Sequence, residues 1–176
     1  MGERIQTTTR GVRMRATLIR LSTLALAAAS LTSGIANAQT CKSIHADLVE
    51  IRSTQGCDPG LSFCFLGEVN GNHGLRGTTH FKGDSGAAGP STGTAGFISY
   101  SGPFQYRTAT GTLDMRETGV TNTSIGLPQS GIVTAYQQVV GGTGEYEGAT
   151  GSLFVSGRNV NNVIETFLVG EICLNQ

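Results

Sequence analysis

Residues 141–151 read GGTGEYEGATG, with five glycines around a single tyrosine, Tyr146. A phosphate-binding loop and a tight β-turn both use glycine in this way. A dinucleotide-binding fingerprint would need glycine where Glu147 stands, and a helix would have to follow. The residues that follow, ATGSLFVSG, have the composition of a strand, and the neighbouring acidic side chains would repel a phosphate. The stretch therefore predicts a glycine turn between two strands, with Tyr146 tucked into the end of the fold. The residues of this motif are Gly141, Gly142, Gly144, Tyr146 and Gly148.

The chain after residue 38 has β character throughout. Runs rich in β-branched and aromatic residues alternate with turns that contain glycine and asparagine. Eight such runs are predicted as strands: 43–53, 61–70, 75–83, 95–102, 104–115, 131–140, 149–157 and 163–174. An apolar period of 3.6 residues is nowhere long enough for a major helix. The glycine-rich residues 83–96 are predicted to form a loop.

Glycines inside the predicted strands favour a barrel over a sandwich. They stand at Gly67, Gly77, Gly111 and Gly151. Such residues weaken a strand unless they mark the bulges and tight bends that a small closed barrel needs. Closure also removes the exposed strand edges of an open sheet. The predicted fold class is therefore all-β, with a single eight-stranded antiparallel β-barrel.

Four cysteines predict two disulfides. Cys41 and Cys173 lie near the two ends of the domain, and Cys57 and Cys64 stand close together in the chain. Three pairings are formally open, and position favours Cys41–Cys173 with Cys57–Cys64. The first of these would bring the first and last strands together, as closure of a barrel demands.

The first 38 residues have the order of a secretory signal peptide. Five arginines occur among the first 20 residues, an apolar run follows, and the segment closes on Ala36-Asn37-Ala38. We expect a signal peptide at 1–38, a barrel domain at 39–176, and a secreted protein, periplasmic or extracellular, with no membrane partner after processing. Removing the leader changes 12 basic and 12 acidic residues to 7 and 11, a net charge of −4. This acidic balance argues against nucleic acid as a partner.

Residues 139–155, VVGGTGEYEGATGSLFV, resemble the signature of the allene oxide cyclase-like and dirigent-like barrel superfamily. There a Gly-Gly-Ser/Thr-Gly turn is followed by an aromatic residue and a short strand rich in glycine and alanine. The upstream strand with Thr-Gly-Thr-Leu at 110–113 is similar too, and the resemblance covers residues 105–173. It implies an eight-stranded antiparallel barrel, often trimeric in plant relatives, so a homotrimer or dimer is expected. It does not imply one activity, because dirigent proteins steer radical coupling and the cyclases close a ring on an epoxide.

The same resemblance suggests site residues. The plant cyclases carry Glu-Ile-Asn on the first strand, and this chain reads Glu50-Ile51-Arg52. Glu50 is therefore the catalytic candidate, although Arg52 replaces the asparagine. An outward-facing carboxylate is the simpler interpretation of Glu50, since acidic residues are seldom buried unpaired. Dirigent-like binding would use inward Asp, Arg and Tyr side chains. The ligand-binding candidates are Arg52, Tyr106, Arg107 and Asp114.

Neither a metal nor a cofactor is expected. The three histidines, His45, His73 and His80, lack the spacing of a zinc or copper site. Glu145 and Glu147 flank the glycine turn, where solvated acidic residues are usual.

Three functions fit these observations. The leading hypothesis is a secreted barrel that binds a small apolar or phenolic ligand without redox chemistry of its own. The first alternative is a structural or interaction protein of the cell envelope with a filled barrel. The second is an intramolecular isomerase or cyclase acting in the cavity, although enzymatic activity is not favoured. A filled interior would support the structural role, whereas an open pocket holding a carboxylate of raised pKa would support the isomerase.

Overall fold

The computed structural model describes residues 39–57, 63–88, 97–122 and 130–175. The predicted signal peptide lies outside the described residues. The strands are β1(Gln39–Ser53), β2(Phe63–Gly71), β3(Arg76–Gly83), β4(Ser85–Ala88), β5(Phe97–Thr108), β6(Thr112–Asn122), β7(Ser130–Gly142), β8(Thr150–Val160) and β9(Val163–Asn175). One 3₁₀ turn, Gly144–Tyr146, joins β7 to β8. In the described part of the chain, no helix is long and apolar enough to cross a membrane.

The strands form a closed antiparallel meander. Strand β2 pairs with both β1 and β3, and β5, β6, β7, β8 and β9 pair in chain order. Pairing of β1 with β9 and of β3 with β5 completes the ring. Strand β4 pairs with β5 beyond the end of β3, so β3 and β4 share one edge of β5. The predicted fold class is confirmed, since the barrel has eight strands and β4 is an additional one.

Both predicted disulfides are present. Cys41 and Cys173 are directly opposite in the β1–β9 register and are bonded. Cys57, which follows β1, is bonded to Cys64 on β2. The Cys64 side chain is fully buried on the outer face of the barrel wall. The first bridge therefore locks the seam between the first and last strands, and the second holds the chain after β1 against β2.

The inward-facing side chains fill one end of the barrel and leave a cavity at the other. At the end where β7 turns into β8, large apolar side chains fill the barrel; we call this the filled end. Its fully buried members include Leu48, Tyr106, Leu113, Leu153 and Leu168. At the opposite end, which we call the open end, the inward positions enclose a cavity.

The glycine turn lies at the filled end. Tyr146 is buried there within the hydrophobic core. Gly144 and Gly148 have φ values of +62° and +70°, the left-handed region in which side chains other than glycine are strained. A Cβ at Gly144 would also stand 2.2 Å from the Thr110 carbonyl oxygen. The glycines thus let the chain reverse tightly while Tyr146 packs inward.

Two predicted element boundaries were wrong. Residues 95–102 and 104–115 were expected to be separate strands, but 97–108 form the single strand β5 and the turn lies at 109–111. Gly102-Pro103 suggested a break because proline lacks the N–H of a strand interior. In the structure this pair lies where the neighbour of β5 changes from β4 to β3. Within the predicted loop at 83–96, residues 85–88 form β4, whereas 89–96 lie outside the described residues.

Candidate functional site

The open end of the barrel holds a cavity of about 720 Å³. That volume is typical of pockets that bind small molecules. Its apolar lining comprises Phe63, Phe65, Phe81, Phe97, Ile98, Tyr100, Val133, Val155 and Ile164. The remaining lining residues are Glu50, Arg52, Gly86, Glu117, Thr121, Asn159, Asn162 and Thr166. The interior is therefore mainly apolar, with a small set of polar groups.

Two carboxyl groups lie at the boundary between the filled end and the cavity. Glu50 follows Ile44, Ala46 and Leu48 in the inward alternation of β1, and Glu117 follows Leu113 and Met115 in that of β6. Each glutamate is only 6% exposed. The interpretation of Glu50 as an outward-facing carboxylate was wrong, because strand alternation places it on the inner face.

Hydrogen bonds connect Glu117 to the filled end. The Tyr106 hydroxyl donates to Gln137 Oε1 at 2.5 Å, and Gln137 Nε2 donates to Glu117 Oε2 at 2.5 Å. The Tyr100 hydroxyl also donates to Glu117. Gln137 and Tyr106 are fully buried. This chain of donors fixes the Glu117 carboxyl and satisfies the buried polar atoms beneath it.

Glu50 is held more loosely. Its described hydrogen bond is a long one, 3.5 Å from Thr79 Oγ1 to Glu50 Oε1. Hydroxyl donors normally approach an acceptor to about 2.5–3.0 Å. The Glu50 carboxyl thus keeps hydrogen-bonding capacity for a molecule in the cavity.

Burial changes the protonation of both acids. Desolvation raises the pKa of Glu50 well above its ordinary value, and the nearby Glu117 charge raises it further. Desolvation also raises the pKa of Glu117, while the hydrogen bonds from Gln137 and Tyr100 oppose that rise. Glu50 is therefore the group more readily kept neutral, able to donate its proton to a guest.

Two inner-face glycines make room for these side chains. A Cβ at Gly67 would stand 2.6 Å from Glu50 Cγ and 2.8 Å from Thr79 Oγ1. A Cβ at Gly119 would stand 2.6 Å from both the ring and the hydroxyl of Tyr100. Any larger residue would displace the site groups, so these glycines shape the cavity floor.

Aromatic rings form one wall of the cavity. Phe63, Phe65, Phe81 and Tyr100 contact one another with ring centroids 5.6–6.5 Å apart. Tyr100 meets Phe63 and Phe81 edge to face, an arrangement that stabilises aromatic pairs. We call these four residues the aromatic wall.

The predicted site residues fall into three places. Glu50 and Arg52 both line the cavity. Tyr106 points inward but lies in the filled end, bonded to Gln137. Arg107 and Asp114 are on the outer face, where the Gln105 side chain joins them by hydrogen bonds of 2.6 and 2.7 Å. The structure therefore brings Glu50 and Arg52 together and separates the other three from the cavity.

Sequence reasoning missed the second carboxyl and the aromatic wall. Residues 116–130 fell between the predicted strands 104–115 and 131–140, so Glu117 was not considered. Its alternation with Leu113 and Met115 was the available signal. The aromatic wall gave a weaker signal, because Phe63, Phe65 and Phe81 come together only through the β2–β3 register.

Metal ligands are scarce in the described residues. The grouping with suitable spacing there is Cys41, Glu171 and Cys173, but its two thiols are consumed by the disulfide. Glu50 and Glu117 provide oxygen atoms, which together with Thr166 suit an organic guest in an apolar cavity better than a closed metal site.

Comparisons with protein-family models, with curated proteins and with solved structures each return no match for this chain. The resemblance to the allene oxide cyclase-like and dirigent-like superfamily accordingly remains a prediction from the motif.

Proposed function

We propose that this protein binds a small, mainly apolar or phenolic ligand in the open end of its barrel, with no redox step of its own. The observation that carries the proposal is the cavity of about 720 Å³, lined by the aromatic wall and floored by Glu50 and Glu117. The apolar lining would bury the body of the ligand, and the carboxyl groups would orient an oxygen or nitrogen atom. A barrel filled by its own side chains, the structural alternative, does not explain such a cavity.

The family and the location belong to the same proposal. An eight-stranded meander barrel and the 139–155 motif support membership of the allene oxide cyclase-like and dirigent-like superfamily. Two disulfides support export to an oxidising compartment, periplasmic or extracellular. Cleavage of the leader would give a mature protein whose mass matches a chain beginning near Gln39.

The proposal also includes self-association of the protein into a homotrimer or dimer. Large apolar side chains are exposed on the outer face of β7, β8 and β9, among them Val140, Phe154 and Phe167. Exposed apolar clusters commonly mark interaction surfaces. Light scattering on the purified protein should give two or three times the chain mass, and a monomer mass would remove this part.

A second candidate function is an intramolecular isomerase or cyclase. The paired carboxyl groups favour it, because a neutral Glu50 beside Glu117 has the form of a general acid. Such an enzyme would protonate an oxygen of the bound molecule and return the proton after rearrangement. Turnover of a bound ligand, abolished in Glu50→Gln, would distinguish this function from binding alone.

Ligand uptake tests the main proposal directly. Native mass spectrometry of protein purified from its own source should reveal a bound small molecule that is lost on denaturation. Val155 lines the cavity, whereas its neighbour Phe154 points outward. We expect Val155→Trp to intrude into the cavity and weaken uptake, and Phe154→Trp to retain it. Equal uptake by both folded variants would contradict the proposed site.

A further inference from the structure

The acids of the cavity floor have no basic partner among the described residues. Neither Glu50 nor Glu117 forms an ion pair with any residue that the structure describes. The ion pairs found there join Lys42 to Glu145, Arg116 to Asp84, and Arg158 to Glu165, all with partly exposed side chains. Arg52 lies two positions beyond Glu50, toward the open end, and is exposed. Buried carboxyl groups are normally paired, so the floor offers two acidic groups that a cationic ligand would complete.

A second polar group on the cavity wall is also unsatisfied. Thr166 is 7% exposed, lies on the inward face of β9 and lines the cavity. Its hydroxyl has no hydrogen-bond partner within the described chain. The β1–β9 register pairs Thr166 with Leu48 and Ile164 with Glu50, so Thr166 and Glu50 are diagonal neighbours. Buried polar atoms are rarely left unpaired, and a hydrogen-bonding guest between these two residues would satisfy both.

The aromatic wall suits the apolar body of a ligand whose polar group lies on the cavity floor. Phe63, Phe65, Phe81 and Tyr100 line the same cavity as the two carboxyl groups. A carboxylate ligand would add a third acidic group to the floor, and a neutral alcohol would supply no charge to pair with either glutamate.

We propose that the natural ligand is an organic amine, with its ammonium group between Glu50 and Glu117 and its apolar body against the aromatic wall. This inference rests on the proposed binding function and narrows the ligand class. An ammonium donates up to three hydrogen bonds, which match the carboxyl oxygens of both glutamates and the Thr166 hydroxyl. Its charge would also stabilise the ionised form of the carboxyl groups.

Calorimetric titration with three ligands of one skeleton tests the inference. The probes are 4-phenylbutylamine, 4-phenylbutanol and 4-phenylbutanoate, titrated into the intact protein at neutral pH. We expect the amine to bind at least about tenfold more tightly than the alcohol, because pairing of buried charges contributes strongly. The carboxylate should not bind measurably.

Variants identify the groups responsible. In Glu50→Gln/Glu117→Gln the amine should lose at least about tenfold in affinity, since the charged partners are gone while the volume is kept. The loss for the alcohol should be smaller than the loss for the amine, because the alcohol carries no charge. Circular dichroism checks independently that the variant folds. Glu165→Gln, on the outer face, is the matched control and should bind like the wild type.

The outcomes separate the two proposals. Equal affinity of wild type for amine and alcohol would overturn the amine inference and leave the ligand-binding function standing. Unchanged amine affinity in the double variant would overturn it as well, because the ammonium would then lie elsewhere. Failure of all three probes would overturn the amine inference, whereas the binding function is decided independently by native mass spectrometry.

Discussion

Replacing Glu50 by glutamine should change how the stability of the barrel depends on pH. Burial raises the pKa of Glu50 above its unfolded value, which is 4.5 for an ordinary glutamate. Between the unfolded and folded pKa values, the native state binds a proton that the unfolded state has lost. Each such carboxyl lowers the free energy of unfolding by about 1.4 kcal/mol per pH unit as the pH rises. The stabilising contribution is complete below pH 4.5 and is lost as the pH rises through the folded pKa.

The two carboxyl groups predict a curve with two parts. About one pH unit above 4.5 the unfolded glutamates have lost most of their protons. While both native carboxyl groups keep theirs, the slope should approach about 2.7 kcal/mol per pH unit. Hydrogen bonds oppose the rise in the pKa of Glu117, so native Glu117 should ionise at a lower pH than native Glu50. The shallower part at higher pH then belongs to Glu50. Because glutamine stays neutral, Glu50→Gln should remove that part and be more stable than the wild type near neutral pH.

Urea unfolding followed by circular dichroism, at half-unit intervals from pH 4.5 to 8, measures this slope. Glu165→Gln is the control, because Glu165 lies on the outer face in an exposed ion pair with Arg158. It should retain the wild-type slope. If Glu50→Gln also retains the wild-type slope over the whole range, then Glu50 ionises in the native state as it does in the unfolded one, and the reasoning from burial fails.

Two further predictions concern the architecture. Replacing both cysteines of the Cys41–Cys173 bridge by alanine should lower the free energy of unfolding by about 5 kcal/mol, and the same change at Cys57–Cys64 by about 2.4 kcal/mol. The difference arises because the two bridges close loops of 132 and 7 residues. Equal losses in urea unfolding would contradict this loop-length argument. Gly67→Ala should lower the free energy of unfolding by about 1–3 kcal/mol through overpacking, because the added Cβ would stand 2.3 Å from the Val49 carbonyl oxygen. Gly141→Ala, whose Cβ would have its nearest contact at 3.9 Å, should fall within about 0.5 kcal/mol of the wild type; a loss as large as that of Gly67→Ala would show that strand packing is not the cause.

The fold followed from local signals in the sequence. The alternation of apolar residues and the glycine turn at 141–148 are short-range features, and both determine strands and their connection without reference to the rest of the chain. The Cys41–Cys173 pairing supplied the one long-range restraint needed for closure. The break expected at Gly102-Pro103 shows the limit of this reasoning, because the position is tolerated only through the exchange of neighbours along β5.

The candidate site was harder to predict because it depends on register. Glu50 was identified through a resemblance, and its inward orientation depends on which face of β1 the barrel encloses. Tyr106, Arg107 and Asp114 are close in sequence or across a hairpin, yet alternation places Tyr106 inside and the other two outside. Glu117 lies on β6 and Glu50 on β1, strands that are far apart in the chain. No local sequence pattern predicts that these two side chains line the same cavity.

The position of β9 between β1 and β8 has a consequence for folding. Thirteen residue pairs join β1 to β9, from Gln39↔Asn175 to Ile51↔Val163, so this ladder forms only after the last strand has been synthesised. Until then β1 and β8 each present an unpaired edge, a template for wrong association between chains. Such distant pairing raises the contact order and slows folding. Chaperone protection should therefore matter most in the interval before β9 inserts.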